Sequence, residues 1–129
     1  MQHEEFLQQF YASIKAGNTE AIKQCIHADF ELHWQGTDAL PWAGHWKGVA
    51  GLLEFFRILN EHVEVLAVNR LETLSSPQLT FVLLQGQWRI KRNGKEITAL
   101  AANVFKFKEE LISSYTVLNN SAAFAESLM

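Results

Sequence analysis

The chain has 129 residues, the size of one ordinary domain and too short for two. Hydrophobic residues make up 48% and charged residues 19%, which excludes a disordered chain, and a net charge of −3 argues against a protein that works by neutralising phosphates. The single cysteine, Cys25, excludes an internal disulfide and a cysteine-based zinc cage, and no apolar run approaches the ~18 residues of a membrane span.

Phe6, Leu7, Phe10, Tyr11 and Ile14 fall at helical spacing. Gly17 ends this first helix and Asn18 caps a second, whose buried stripe is Ala21, Ile22, Cys25 and Ile26. Cys25 reads as a small core residue. Over 30–35 the pattern alternates with period two, a strand with Phe30, Leu32 and Trp34 inward and Glu31, His33 and Gln35 outward. Gly36 to Gly48, with Pro41 and Gly44, reads as a long loop, a length that usually serves function. Leu52, Phe55, Phe56 and Leu59 mark a third helix over 49–59.

Four strands are predicted next, over 63–74, 79–91, 97–108 and 111–118. Their turns are Ser75-Ser76-Pro77, Asn93-Gly94 and Glu109-Glu110, and a short helix over 122–128 closes the chain. On the second of these strands Val82, Leu84, Gly86, Trp88 and Ile90 share the inner face. Phe81 and Leu83 lie on the other face among polar residues, which suits a partly apolar homodimer contact. Helices first and hairpins after make an α+β fold. The expected architecture is a single domain over 1–129, a cone-shaped, curved antiparallel β-sheet wrapped around the N-terminal helices with a cavity between them.

The order of these pieces resembles the nuclear transport factor 2-like superfamily, and within it the SnoaL-like and ketosteroid isomerase-like proteins. The resemblance spans essentially the whole chain. It is carried by Phe10-Tyr11-Ala12, Lys15-Ala16-Gly17-Asn18 and His27-Ala28-Asp29-Phe30-Glu31-Leu32. The mouth segment Pro41-Trp42-Ala43-Gly44-His45-Trp46-Lys47-Gly48, followed by Leu53-Glu54-Phe55-Phe56, and the later Val104-Phe105-Lys106-Phe107 complete it.

Ketosteroid isomerases use a carboxylate base and an oxyanion hole of one tyrosine and one protonated aspartate. An ungapped carry-over puts the base position on Trp34, the tyrosine position on Phe10 and the second oxyanion donor on Asn103. A one-residue shift would bring His33 or Gln35 to the base position instead. Trp34 cannot accept a proton and Phe10 cannot donate a hydrogen bond, so the family's acid chemistry is missing. The Asp–Arg–Asp relay of limonene epoxide hydrolases is absent too, because Arg89 and Lys91 point outward and the last strand ends in Asn119-Asn120.

The resemblance therefore implies an aromatic-lined conical pocket for a small apolar, even polycyclic, ligand. Its expected lining is Trp34, Trp46, Phe56, Trp88, Asn103 and Tyr115. Asn103 needs a partner if buried, and Tyr115 is the expected neighbour. An isomerase, cyclase or hydratase using Asp38 and His45 with Asn103 is one alternative. A non-catalytic dimeric module, with Trp34 and Trp88 filling the cone, is another. No cofactor is expected. No two histidines stand at ligand spacing on one element, so no metal is expected either. Arg89, Lys91, Arg92 and Lys95 read as a solvated hairpin tip and not a nucleic-acid surface. Neither a membrane nor a nucleic acid is an expected partner. The acidic, polar start MQHEEFLQQF does not read as a signal peptide, which leaves the Asn119-Asn120-Ser121 sequon to chance and the cytoplasm as the expected address.

Overall fold

Gly17, at φ 67°, turns the chain between two helices, a backbone angle that costs a glycine nothing. The helices are α1 (His3–Ala16) and α2 (Thr19–Cys25), and the Asn18 side chain caps α2 by accepting from the Ala21 N–H at 3.2 Å. Residues 3–129 are described, in a computed structural model. After α2 come β1 (Ile26–Gln35), β2 (Gly44–Lys47) and α3 (Gly48–His62). The long strands β3 (Val63–Ser76), β4 (Leu79–Ile90), β5 (Glu96–Lys108) and β6 (Leu111–Leu118) follow, and α4 (Ser121–Leu128) is last.

The six strands form one sheet in the order β2-β1-β6-β5-β4-β3. Neighbours are antiparallel except β1 and β6, which run parallel, so the expected antiparallel sheet carries one parallel seam. The sheet is curved and unclosed, with the N-terminal helices on its inner face. Its edge strand β3 bulges twice against β4, once at Leu66 and once at Leu71, each leaving an extra residue opposite the partner strand. Such bulges bend a strand and increase its twist.

Period-two alternation fixes the faces. Val82, Leu84, Trp88 and Ile90 on β4 and Ala101, Asn103 and Phe105 on β5 are buried under the helices. Phe10 of α1 meets Phe105 edge-on at 6.1 Å and Tyr115 at 5.9 Å, while Phe105 and Tyr115 stack at 4.6 Å. Each fully buried Phe or Leu here contributes roughly 1.5–3 kcal/mol against exposure. Among the described residues, no helix is long and apolar enough to cross a membrane.

The segment expected as one long loop from Gly36 to Gly48 is shorter than that. Residues 44–47 pair antiparallel with β1 as an edge strand, His33 opposite His45 and Leu32 opposite Trp46. Four residues are too few for alternation to stand out. It is the partner strand that makes them extended.

Candidate functional site

The concave side of the sheet and the helices border a solvent-open cavity of about 890 Å³. Tyr11 and Ile14 of α1, Phe55 and Phe56 of α3, and Leu66 at the β3 bulge line one side. Leu84, Trp88, Asn103, Tyr115 and Val117 line the sheet side. No Asp, Glu or His is among the described residues that line it. The titratable side chains on its wall are Tyr11, Tyr115 and the two cations Lys15 and Arg70, both of them exposed residues.

One end of the cone is packed with its own aromatics. Trp34 meets Trp42 edge-on at 5.9 Å and Phe124 at 6.1 Å, and Trp88 meets Phe124 at 5.3 Å. Phe124 reaches the cluster from α4, capped at its start by Asn120, which accepts from the Ala123 N–H at 3.1 Å. The far end of α4 is held by the β4–β5 hairpin tip. There Asn93 Nδ2 donates to the Ser127 carbonyl at 2.7 Å, and the Arg92 guanidinium donates to the Leu128 carbonyl. Cations at a helix C-terminus also face the negative end of its dipole. The basic hairpin tip thus fastens the helix that plugs the cone.

The polar side chains on the cavity wall are amides, phenols and two cations. Asn103 Nδ2 donates to the Tyr11 hydroxyl oxygen at 2.9 Å, which leaves the Tyr11 proton to point elsewhere. Burial pushes the Tyr11 phenol up to about 12, against smaller opposing pulls from Asn103 and Arg70. Burial likewise raises Tyr115 well above the usual tyrosine value, and Tyr11 adds to the effect. Both phenols stay neutral donors at physiological pH. The Trp42 Nε1 group is buried and has no hydrogen-bond partner among the described residues.

Of the residues expected around a pocket, Trp34, Phe56, Trp88, Asn103 and Tyr115 border this cavity. Trp46 does not. It packs edge-on against Phe55 at 6.2 Å and donates its Nε1 proton to the Trp42 carbonyl at 3.1 Å. Asp38 is exposed on the connection before β2, and neither it nor His45 lines the cavity. His45 meets His33 instead, on the opposite face of the sheet, with ring centroids 4.3 Å apart. Burial, and next the neighbouring His45, holds His33 below the usual imidazole range.

Tyr11, and not its neighbour Phe10, borders the cavity. Phe10, where the carry-over put the tyrosine position, is a fully buried core residue, while Tyr11 is the partner of Asn103 in place of Tyr115. Sequence reasoning missed Tyr11, Trp42, Arg70 and Phe124. Tyr11 was visible as the second aromatic of a Phe-Tyr pair, where helical phase alone does not say which ring faces a cavity.

A profile described as the SnoaL-like domain matches residues 7–115. The chain belongs to the SnoaL-like domain family. Solved structures place this SnoaL-like chain in the nuclear transport factor 2-like fold. It is similar to an NTF2-like protein from Burkholderia xenovorans LB400, with 17% identity, a TM-score of 0.88, and 98% of this chain and 95% of that one covered. TerC co-crystallised with polyporic acid is similar at 18% identity and TM-score 0.79, covering 99% and 98%. A Catenulispora acidiphila DSM 44928 protein with a ketosteroid isomerase-like fold, in complex with trimethylamine, is similar at 15% identity and TM-score 0.69, covering 88% and 83%. At such identities the likeness speaks for the fold alone. No curated protein sequence matches the chain at a significant level.

Proposed function

We propose that this SnoaL-like protein binds a small, flat, largely apolar ligand carrying an oxygen acceptor, held between the aromatic walls of the cone. The observation that carries the reading is the Trp42 Nε1 donor, buried without a partner on a residue that lines the cavity. An unmatched buried donor costs roughly 1–3 kcal/mol, which an acceptor on a ligand would recover. The Tyr11 proton, freed by the Asn103 amide, is a second such donor. Lys15 and Arg70, with no carboxylate beside them on the lining, suit an acidic oxygen at the rim. TerC, similar in fold, was co-crystallised with an acid, polyporic acid, which fits the same ligand chemistry.

Binding, not proton abstraction, is the activity this cavity supports. A general base must reach the proton it removes, and no carboxylate or imidazole stands on the described wall. The placement of Asp38 and His45 outside the cavity lends nothing to an enzyme built on them. The test is a tryptophan-fluorescence titration of the purified chain with a panel of hydroxyquinones and aromatic carboxylates. Saturable quenching, weakened by Tyr11→Phe and by Arg70→Ala, is the expected result. Quenching that neither substitution alters, or no saturable change with any compound, would sink the proposal.

The assembly follows as a proposal on the other face. Leu83, Ala102 and Leu118 stand side by side across β4, β5 and β6, with Leu100 59% exposed next to them. We read this apolar row as the contact of a homodimer.

A further inference from the structure

We infer that Glu31, His33 and His45 form a binding site for a divalent transition-metal ion of the zinc or nickel class, on the sheet face opposite the cavity. Glu31 and His33 are two residues apart on β1 and share the outward face, while β2 sets His45 directly across from His33. One potential ligand atom from each of the three lies within 4.8 Å of the others. The two imidazoles meet edge to face, with planes 80° apart. None of the three side chains makes a hydrogen bond or an ion pair among the described residues, so no competing partner must be displaced.

The backbone is already set, because the ladder pairs Glu31 with Lys47, His33 with His45 and Trp34 with Gly44. Zinc holds nitrogen and oxygen ligands at about 2.0–2.2 Å in a tetrahedron, which brings ligand atoms to roughly 3.3 Å from one another. Closing from the present spacing requires only side-chain rotation, and His45 is exposed and free to rotate. Two imidazoles and one carboxylate suit zinc, nickel or copper and leave calcium and magnesium, which prefer all-oxygen shells, without a site. Lys47 opposite Glu31, and Lys106, whose charge acts on His33, repel a cation and moderate its affinity. The bound ion would clip the four-residue edge strand β2 to β1, and with it the segment that carries Trp42 into the cone.

The three side chains come from two strands, a placement that histidine spacing within one element does not address. It stands independently of the ligand proposed for the cavity, since β1 turns Trp34 inward and Glu31 and His33 outward. The test is calorimetric titration of the tag-free, chelator-treated full chain with zinc chloride, alongside His33→Ala, His45→Ala and Glu31→Gln. One zinc per chain, a raised melting temperature, and at least about tenfold weaker binding in either histidine variant are expected. Cobalt substitution should give the visible absorption of a low-symmetry nitrogen–oxygen site in the parent chain and lose it in His45→Ala, which removes only an exposed ring. Undiminished zinc binding in both histidine variants, one zinc per two chains, or no binding by the parent would overturn the assignment.

Discussion

Asn103 of β5 donates its amide to the hydroxyl of Tyr11 on α1 at 2.9 Å, joining residues 92 apart in the chain across the cavity. The bond fixes which way the Tyr11 proton faces. It also satisfies an amide that is only 7% exposed. Tyr11→Phe would keep the ring and strand the amide, so we expect a loss of about 1–3 kcal/mol in urea unfolding. Asn103→Leu combined with Tyr11→Phe replaces both partners by apolar groups and should cost less than the sum of the single changes. A strictly additive cycle would mean that the bond contributes nothing to stability.

Tyr11 and Tyr115 are the two tyrosines of the chain, and burial raises both. The folded Tyr11 pKa of about 12 stands above its ordinary value of 10.0. Below the unfolded value both states hold the proton and the native advantage is complete. As pH climbs from there toward the folded value, only the unfolded chain ionises, so each tyrosine lowers stability by about 1.4 kcal/mol per pH unit. Spectrophotometric titration should therefore show no tyrosinate at pH 10–11 while the fold persists, followed by a cooperative rise that coincides with the loss of circular dichroism. Two independent, reversible ionisations near the ordinary tyrosine value would contradict this burial.

Gly86 lies under the Trp88 indole: a Cβ added there would stand 2.2 Å from the ring. The ring cannot retreat, because Phe124 packs against it at 5.3 Å. Gly86→Ala should therefore cost about 1–3 kcal/mol, the usual penalty of overpacking, and shift the tryptophan emission. Emission and melting temperature that match the parent chain would show that the cluster has slack.

These residues also mark how far the sequence was legible. The alternation over 30–35 and 79–91 set the inward faces correctly, because a pleated strand leaves only two choices. The ordered pattern of the chain then made the curved sheet and its N-terminal helices legible. Tyr11 was lost because a helix presents adjacent residues about 100° apart, so Phe10 and Tyr11 can both be buried while only one borders the cavity. Strand β2 was lost because its extended form depends on pairing with β1, not on its own four residues. The His33–His45 contact was lost with it, since register between strands is not written in either strand alone.

The hairpin tip makes a different kind of prediction. Asn93 and Arg92 hold the last carbonyls of α4, and Phe124 on that helix seals the tryptophan cluster. Removing both donors with Arg92→Ala and Asn93→Ala should loosen α4 while Phe124 keeps it docked. Amide exchange within α4 should quicken by about tenfold, with little change in the sheet, because local opening and global unfolding are separate equilibria. Uniformly faster exchange through β4 and β5 would mean that α4 is part of the global unit.

On the uncovered face, Leu83, Ala102 and Leu118 occupy one cross-strand row, and Leu100 is 59% exposed beside it. A contiguous apolar face of this kind costs free energy in water and is a common mark of a protein contact. Leu100→Lys places a charge next to that row without touching the inner face, where Ala101 and Asn103 alternate with it. If two copies meet there, the substitution should shift the chain from dimer to monomer in sedimentation velocity and leave its circular dichroism unchanged. Burying a lysine at such a contact without a partner is costly enough to separate the copies. A parent chain that sediments as a monomer, or a dimer that survives Leu100→Lys unchanged, would remove this face as the contact.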